Sequence, residues 1–346
     1  MTSTLSETHN LDTRGPSISA SNLIDAFSER VDTVTTALGP LVLPLGFEPL
    51  DRVLGGGIRR HDLVVLAGRP GVGKTIATLQ MARNLAAGGA TVVFACFEHD
   101  APTLIGRLIA MEIGSVAVRH TDWYRMDGIR LLLSEISAGR TSLSSAAGDP
   151  LMRAALASIA TYGHRLHFVR ALPTETGVHE LSDAVDAVRD GPTVLIVDYL
   201  QKVRALRSTT THLEHVAEVT AGLKQASLES ALSVLAVSAI SATGLMRRRT
   251  HLAHLDSAVA VGYDSDVVIL MNDKRPIVAA NQIMNTLEQS ERLRQRVVFT
   301  VEKNRGGIAP VDLEFGKDFE HFRFDPNGTH VSEQLIEDGE HDDFRQ

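Results

Sequence analysis

Gly68, Gly73, Lys74 and Thr75 fall in the spacing G-x-x-x-x-G-K-T, within DLVVLAGRPGVGKT from Asp62 to Thr75. Residue types in this order can grip a triphosphate tail. The loop Gly68, Arg69, Pro70, Gly71, Val72, Gly73 has the glycines it needs to curl, so that its N–H groups converge on one cluster of anionic oxygens. A helix starting near Lys74 would add the favourable field of its N-terminus. Lys74 would reach the β- and γ-phosphates, and the Thr75 hydroxyl would ligate Mg²⁺. Two acids stand at the ends of other apolar runs, Glu98 after ATVVFACF and Asp198 closing TVLIVD. A carboxylate beside the γ-phosphate can polarise the attacking water, which is the role expected of Glu98. Asp198 would hold Mg²⁺ directly or through water.

These residues work together only if the fold brings them to one edge. Apolar runs at 63–66, 90–97, 166–170, 193–198, 232–238, 266–271 and 296–302 read as strands. Most are continuous rather than alternating, as expected for strands covered on both faces. Between them lie helical stripes: Ile76, Leu79, Ala82, Leu85; then Leu104, Ile105, Leu108, Ile109; then Val178, Leu181, Val185, Val188; then Leu213, Val216, Val219, Leu223. The order predicts an α/β fold with a mainly parallel central sheet flanked by helices. Residues 310–324 alternate and contain Gly316-Lys317, predicting a closing C-terminal β-hairpin. In such sheets ligands bind outside the carboxyl ends of the strands, which selects the phosphate loop, Glu98 and Asp198.

The remaining segments divide the chain. Residues 1–20 are polar and Ser/Thr-rich and are expected to be disordered. Residues 21–44 carry an amphipathic helix with Leu23, Ile24, Phe27, Val31, Val34 and Leu38 on one stripe, stopped by Gly39-Pro40. That stripe packs either on its own domain or on a neighbouring subunit. Residues 45–325 form one catalytic domain, and 326–346 read as an acidic, flexible tail. Residues 115–165 look helical in pieces, with a Ser/Gly-rich break near 138–150.

Composition narrows the function classes. The 346 residues are 44% hydrophobic and 22% charged, with net charge −8, so there is no global basic footprint for nucleic acid. The single cysteine, Cys96, excludes an internal disulfide and a cysteine-rich zinc module. No apolar run approaches a membrane span and no signal-peptide core is present, which makes the cytoplasm the default location. His212-x-x-His215 and His251-x-x-His254 have ligand-like spacing but no third ligand nearby, and read as surface histidines. Trp123 with Tyr124 reads as packing rather than base stacking.

Taken in order, LGFEPLDRVLGGG, GRPGVGKT, FEHD, VLIVDYLQ, GLK, DSDVVIL and EKNRGG resemble the C-terminal, RecA-like motor domain of the DnaB-type replicative helicases, over residues 45–325. The resemblance implies a RecA-like P-loop NTPase using ATP and Mg²⁺. It also implies a ring, in the family a hexamer, that acts on single-stranded DNA. Glu98 would be the catalytic glutamate, Lys74 and Thr75 the phosphate and Mg²⁺ residues, and Asp198 the Walker B acid. Lys303 and Arg305 would match the pair that reaches into a neighbour's nucleotide. The stripe in 22–38 would match the linker helix that docks on the next protomer. Arg247, Arg248 and Arg249 lie where the family places its DNA-contacting loop; alternatively they are a solvated basic cluster.

Three departures qualify this. The family's Ser-Gln pair at a strand end is here Ser238-Ala239, and Leu255-Asp256-Ser257-Ala258 replaces its Glu-Ser-Gly stretch. Only about 40 residues precede the match, too few for the family's primase-contacting domain, so a housekeeping replicative role is not expected. A non-helicase ATPase acting as an ATP-switched scaffold stands as the alternative.

Overall fold

The run Leu63–Gly68 forms strand β3 in the middle of the sheet, and its alternate residues feed two separate cores. Val64 and Leu66 join one, while Leu63, Val65 and Ala67 join the other. The computed structural model describes residues 42–117, 148–207, 211–279, 282 and 286–336. The segments 1–20 and 22–38 and the pair Trp123–Tyr124 lie outside the described residues.

The strands run β1 (Val42–Leu43), β2 (Ile58–Arg59), β3, β4 (Thr91–Cys96), β5 (Leu166–Arg170), β6 (Thr193–Asp198), β7 (Ser233–Ser238), β8 (Val267–Asp273), β9 (Arg296–Asn304), β10 (Val311–Asp318), β11 (Arg323–Phe324) and β12 (Thr329–His330). The described helices are α1 (Glu48–Val53), α2 (Lys74–Ala87), α3 (Ala101–Ala117), α4 (Pro150–Tyr162), α5 (Val178–Asp186), α6 (His212–Glu229), α7 (Ala258–Asp264), α8 (Lys274–Ile277) and α9 (Leu287–Arg294).

The main sheet has the order β11-β10-β9-β8-β3-β7-β6-β4-β5. From β8 through β5 neighbours are parallel; β8/β9, β9/β10 and β10/β11 are antiparallel. This is a RecA-like α/β fold. The hairpin expected within 310–324 is β10–β11, but β10 runs through Gly316-Lys317 and the chain reverses only after Asp318, at residues 319–322. The chain leaves β3 and returns at β4, beyond β7 and β6, so a crevice opens at the carboxyl edge. β3, β4, β6 and β7 are buried at every residue, which is why their sequences read as unbroken apolar runs.

Leu79, Met81 and Ala82 of α2 and Leu104 and Leu108 of α3 cover one face, joined by Phe299, Phe315 and Phe324. Leu181 and Val185 of α5, Val216, Val219 and Leu223 of α6 and Val261 of α7 cover the other. Each of these Leu, Val, Met and Phe side chains, fully buried, is worth about 1.5–3 kcal/mol. Among the described residues no helix is long and apolar enough to cross a membrane.

The expected flexible tail from 326 onward needs correction. Residues as far as Ile336 are anchored: β12 pairs with β10, Leu335 is 9% exposed and bridges Val278, and Ile336 N donates to the Ile277 carbonyl at 2.9 Å. The physical reason is an ion cluster. Lys274, itself buried, pairs with Glu314 and, at 2.6 Å, with Glu333. Burial alone would raise the Glu333 carboxyl, but the Lys274 ammonium holds it below its ordinary range. Residues 337–346 lie outside the described residues.

Candidate nucleotide site

The phosphate loop links β3 to α2 through two left-handed glycines. Gly71 has φ +82° with open space where a Cβ would stand. Gly73 has φ +102°, and a Cβ there would sit 2.8 Å from the rings of Phe319 and Phe324. Backbone and packing therefore both demand glycine at 73. The Lys74 ammonium turns into the loop, donating to the carbonyls of Gly68 at 2.8 Å and Arg69 at 3.0 Å. Burial pulls its pKa down, and the carboxylates of Asp198 and Glu98 oppose that shift.

Sheet register brings the acids to the same edge. Cys96 of β4 pairs with Asp198 of β6, and Phe97 N donates to the Asp198 carbonyl at 2.9 Å. Glu98 follows directly and is exposed. Asp198 is 2% exposed, and burial raises its pKa while the Thr75 hydroxyl and the Lys74 ammonium lower it. Its Oδ2 is buried without a hydrogen-bond partner. A buried, orphaned carboxylate oxygen costs free energy unless something hard and positive meets it. With the Thr75 hydroxyl alongside, the donor set is all oxygen, which suits Mg²⁺. Lys74, Thr75, Glu98 and Asp198 are thus brought together as expected.

One functional candidate escaped the sequence. Arg107 of α3 lies within electrostatic reach of Asp198, Glu98 and Cys96. Its guanidinium stacks 5.4 Å from the Phe322 ring centroid, and its Nε is buried without a partner. A fixed cation beside two acids fits a site for a polyanion. Its only sequence signal is an arginine lodged in the apolar stripe just before Leu108.

A phosphate loop, two strand-end acids and this strand order describe many ATPases. The comparison that decides between them is along the chain: the DnaB-like helicase C terminal domain matches residues 42–141 and 164–324. The chain belongs to that family. The replicative DNA helicase DnaC of Bacillus subtilis (strain 168) is 25% identical over 301 residues, covering 83% of this chain and 58% of that protein. The replicative DNA helicase DnaB of Treponema pallidum (strain Nichols) is 26% identical over 306 residues, covering 87% and 60%. This chain therefore spans a little over half the length of these curated relatives. The solved ATPase domain of G40P superposes with TM-score 0.65 at 17% identity, covering 87% of this chain and 97% of that one. It carries the likeness of fold alone.

Other positions carried over from the DnaB-like family fare unequally. Arg247 and Arg248 are exposed. Arg249 is not available to DNA and must be removed from that set. It is 4% exposed, and its Nη2 grips both oxygens of Asp312 at 2.8 and 3.0 Å. The reason is geometric: Asp312 on β10 also accepts from the Thr300 hydroxyl, so the ion pair pins the loop to the antiparallel strands.

Lys303 and Arg305 both face their own chain. Lys303 Nζ donates to the carbonyls of Gly262 and Ser265 at the end of α7, and burial pulls its pKa down. Arg305 bonds the Tyr263 carbonyl and, at 3.2 Å, Asp266. The histidine pairs are not all on the surface. His251 is half-buried with Nδ1 2.6 Å from Glu302, whereas His212 is exposed. Among the described residues no group of three or more His, Cys, Asp or Glu side chains could hold a metal.

Proposed function

We propose that this chain hydrolyses ATP with Mg²⁺ at the edge formed by β3, β4 and β6, as a subunit of a ring-forming motor that moves along single-stranded DNA or unwinds DNA. The observation that carries the reading is Asp198: buried, adjacent to the Thr75 hydroxyl, with one oxygen left for a cation. Lys74 would exchange its bonds to the Gly68 and Arg69 carbonyls for phosphate oxygens, which bind an ammonium more strongly. Glu98, exposed at the strand end, would orient and deprotonate the attacking water. Arg107 would offset charge gathering on the phosphates. Mg²⁺, when bound, would neutralise the phosphate oxygens during transfer.

Phosphate release tests this. Lys74→Ala and Glu98→Gln should each lower kcat by about a hundredfold or more. Turnover indifferent to Lys74→Ala would refute the assignment. Single-stranded DNA should stimulate the unaltered protein.

A second reading, an ATP-switched scaffold without helicase activity, is favoured by the engagement of Lys303 and Arg305 with their own chain. A strand-displacement assay separates the two. Unwinding that depends on Arg247 and Arg248 sinks the scaffold; ATP-dependent oligomers with no DNA affinity at low salt sink the motor.

A further inference from the structure

The loop after β7, which carries Arg247 and Arg248, is tied to the phosphate edge at two points. At its root the Gln201 amide spans the ends of neighbouring strands. Its Nε2 donates to Ser238 Oγ at 3.0 Å, and its Oε1 accepts from the Ala239 N–H at 3.2 Å. Gln201 sits in the short turn Leu200–Lys202 that follows Asp198 and Tyr199, with Leu200 fully buried beneath it. The amide therefore follows any movement of the metal-holding end of β6. Ala239 has no polar side chain, so this link runs through its backbone.

Further along the loop, Arg69 of the phosphate loop donates from Nη2 to the Leu245 carbonyl at 2.8 Å. Its Nε is buried and has no partner. Between the two ties the loop is folded on itself. Ser241 N donates to the His254 carbonyl at 2.9 Å and Leu245 N to the Ser241 carbonyl at 3.0 Å. A Cβ on Gly244 would lie 2.6 Å from Ile240 and His254 side chains. A loop packed this way passes displacement on instead of absorbing it.

We propose that Gln201 and Arg69 are positioning residues that convert phosphate and metal at the β6 edge into a rearrangement of the loop 239–249. An anionic phosphate oxygen is a stronger acceptor for the Arg69 guanidinium than the neutral Leu245 carbonyl. Occupancy would therefore loosen the outer tie while Gln201 holds the root, re-aiming Arg247 and Arg248. The proposal rests on reading this edge as a nucleotide site, but not on any affinity for DNA.

Hydrogen exchange of the 239–249 amides, with and without Mg²⁺ and a non-hydrolysable ATP analogue at saturation, tests it. The wild type should show about a tenfold nucleotide-dependent change in exchange there, the scale of an ordinary coupling between sites. Gln201→Leu should bind the analogue yet lose that response. Gln201→Glu, whose carboxylate can accept from both the Ser238 hydroxyl and the Ala239 N–H, should restore it. Arg69→Ala should give fast loop exchange even without nucleotide. Binding of the analogue to the wild type without a loop response overturns this proposal alone. Absence of binding overturns the nucleotide reading with it. A wild-type response in Gln201→Leu also overturns it; should that variant not fold, loss of the response in Gln201→Glu does the same.

Discussion

Glu112 is 1% exposed and is ringed by donors: Arg83 Nε at 2.6 Å and Nη2 at 3.1 Å, the Tyr162 hydroxyl at 2.7 Å and the Ser158 hydroxyl at 2.8 Å. Burial would raise its pKa, but these donors, Arg83 first, hold it below the ordinary carboxylate range. A depressed folded pKa means the stabilisation is complete above the unfolded value, near 4.5, and fades as pH falls through the folded one. Glu112→Gln should cost about 3 kcal/mol at neutral pH, as expected for breaking one side of a buried pair. It should also flatten the loss of stability below that pH. Urea titrations across pH check both; equal acid slopes in the two proteins would contradict the assignment. The arginine triplet divides in the same way. Arg247→Ala and Arg248→Ala should each reduce the salt dependence of DNA binding by about one unit of log–log slope per lost phosphate contact. Arg249→Ala should leave that slope alone and lower stability by about 3 kcal/mol, because Asp312 loses its buried partner.

At the scale of elements, the anchored C-terminal segment makes a distinct forecast. Lys274→Met would leave Glu314 and Glu333 facing each other without their shared cation. The loss should be about 3 kcal/mol at neutral pH and smaller in acid, where protonation relieves the repulsion. Thermal unfolding at two pH values measures the difference, and a pH-independent loss would contradict it. The fate of individual elements also tells what a sequence reveals. β5 and β6 were legible to the residue, since Leu166–Arg170 and Thr193–Asp198 are bounded apolar runs. α9 was not, because Leu293 is its one buried hydrophobic among described side chains and no stripe forms. β12 was not, because two exposed residues carry no pattern and are held by pairing alone. In the site, Lys74 and Asp198 announced themselves by spacing. Arg107 did not, because it stands on a helix while its acids stand at the ends of two strands. The burial of Arg249 was invisible because its partner lies 63 residues away.

For the molecule as a whole, the sheet separates two cores and leaves the nucleotide edge beside the loop of Arg247 and Arg248. Val259 and Tyr263 of α7 and Ile308 beyond β9 are each more than 70% exposed. α7 accepts hydrogen bonds from Lys303 and Arg305, and Ile308 follows those two closely along the chain. An apolar group flanking two cations fits a contact between copies. Light scattering with Mg²⁺, ATP and a single-stranded oligonucleotide should give a mass several times that of one 37.4 kDa chain. A single-chain mass under every condition would remove the ring from the proposal.

Asp266 decides how the two basic residues beyond β9 differ. Its Oδ2 is already satisfied by the Leu63 N–H at 2.8 Å and the Lys224 ammonium at 2.7 Å. The departure of Arg305, whose side chain is 51% exposed, would thus strand no buried charge. Lys303 has no such liberty, because withdrawing it would uncap the last turn of α7. Of the two, the guanidinium is the arm that can be lent to an adjacent molecule, and the ammonium is the rivet that keeps its shoulder in place.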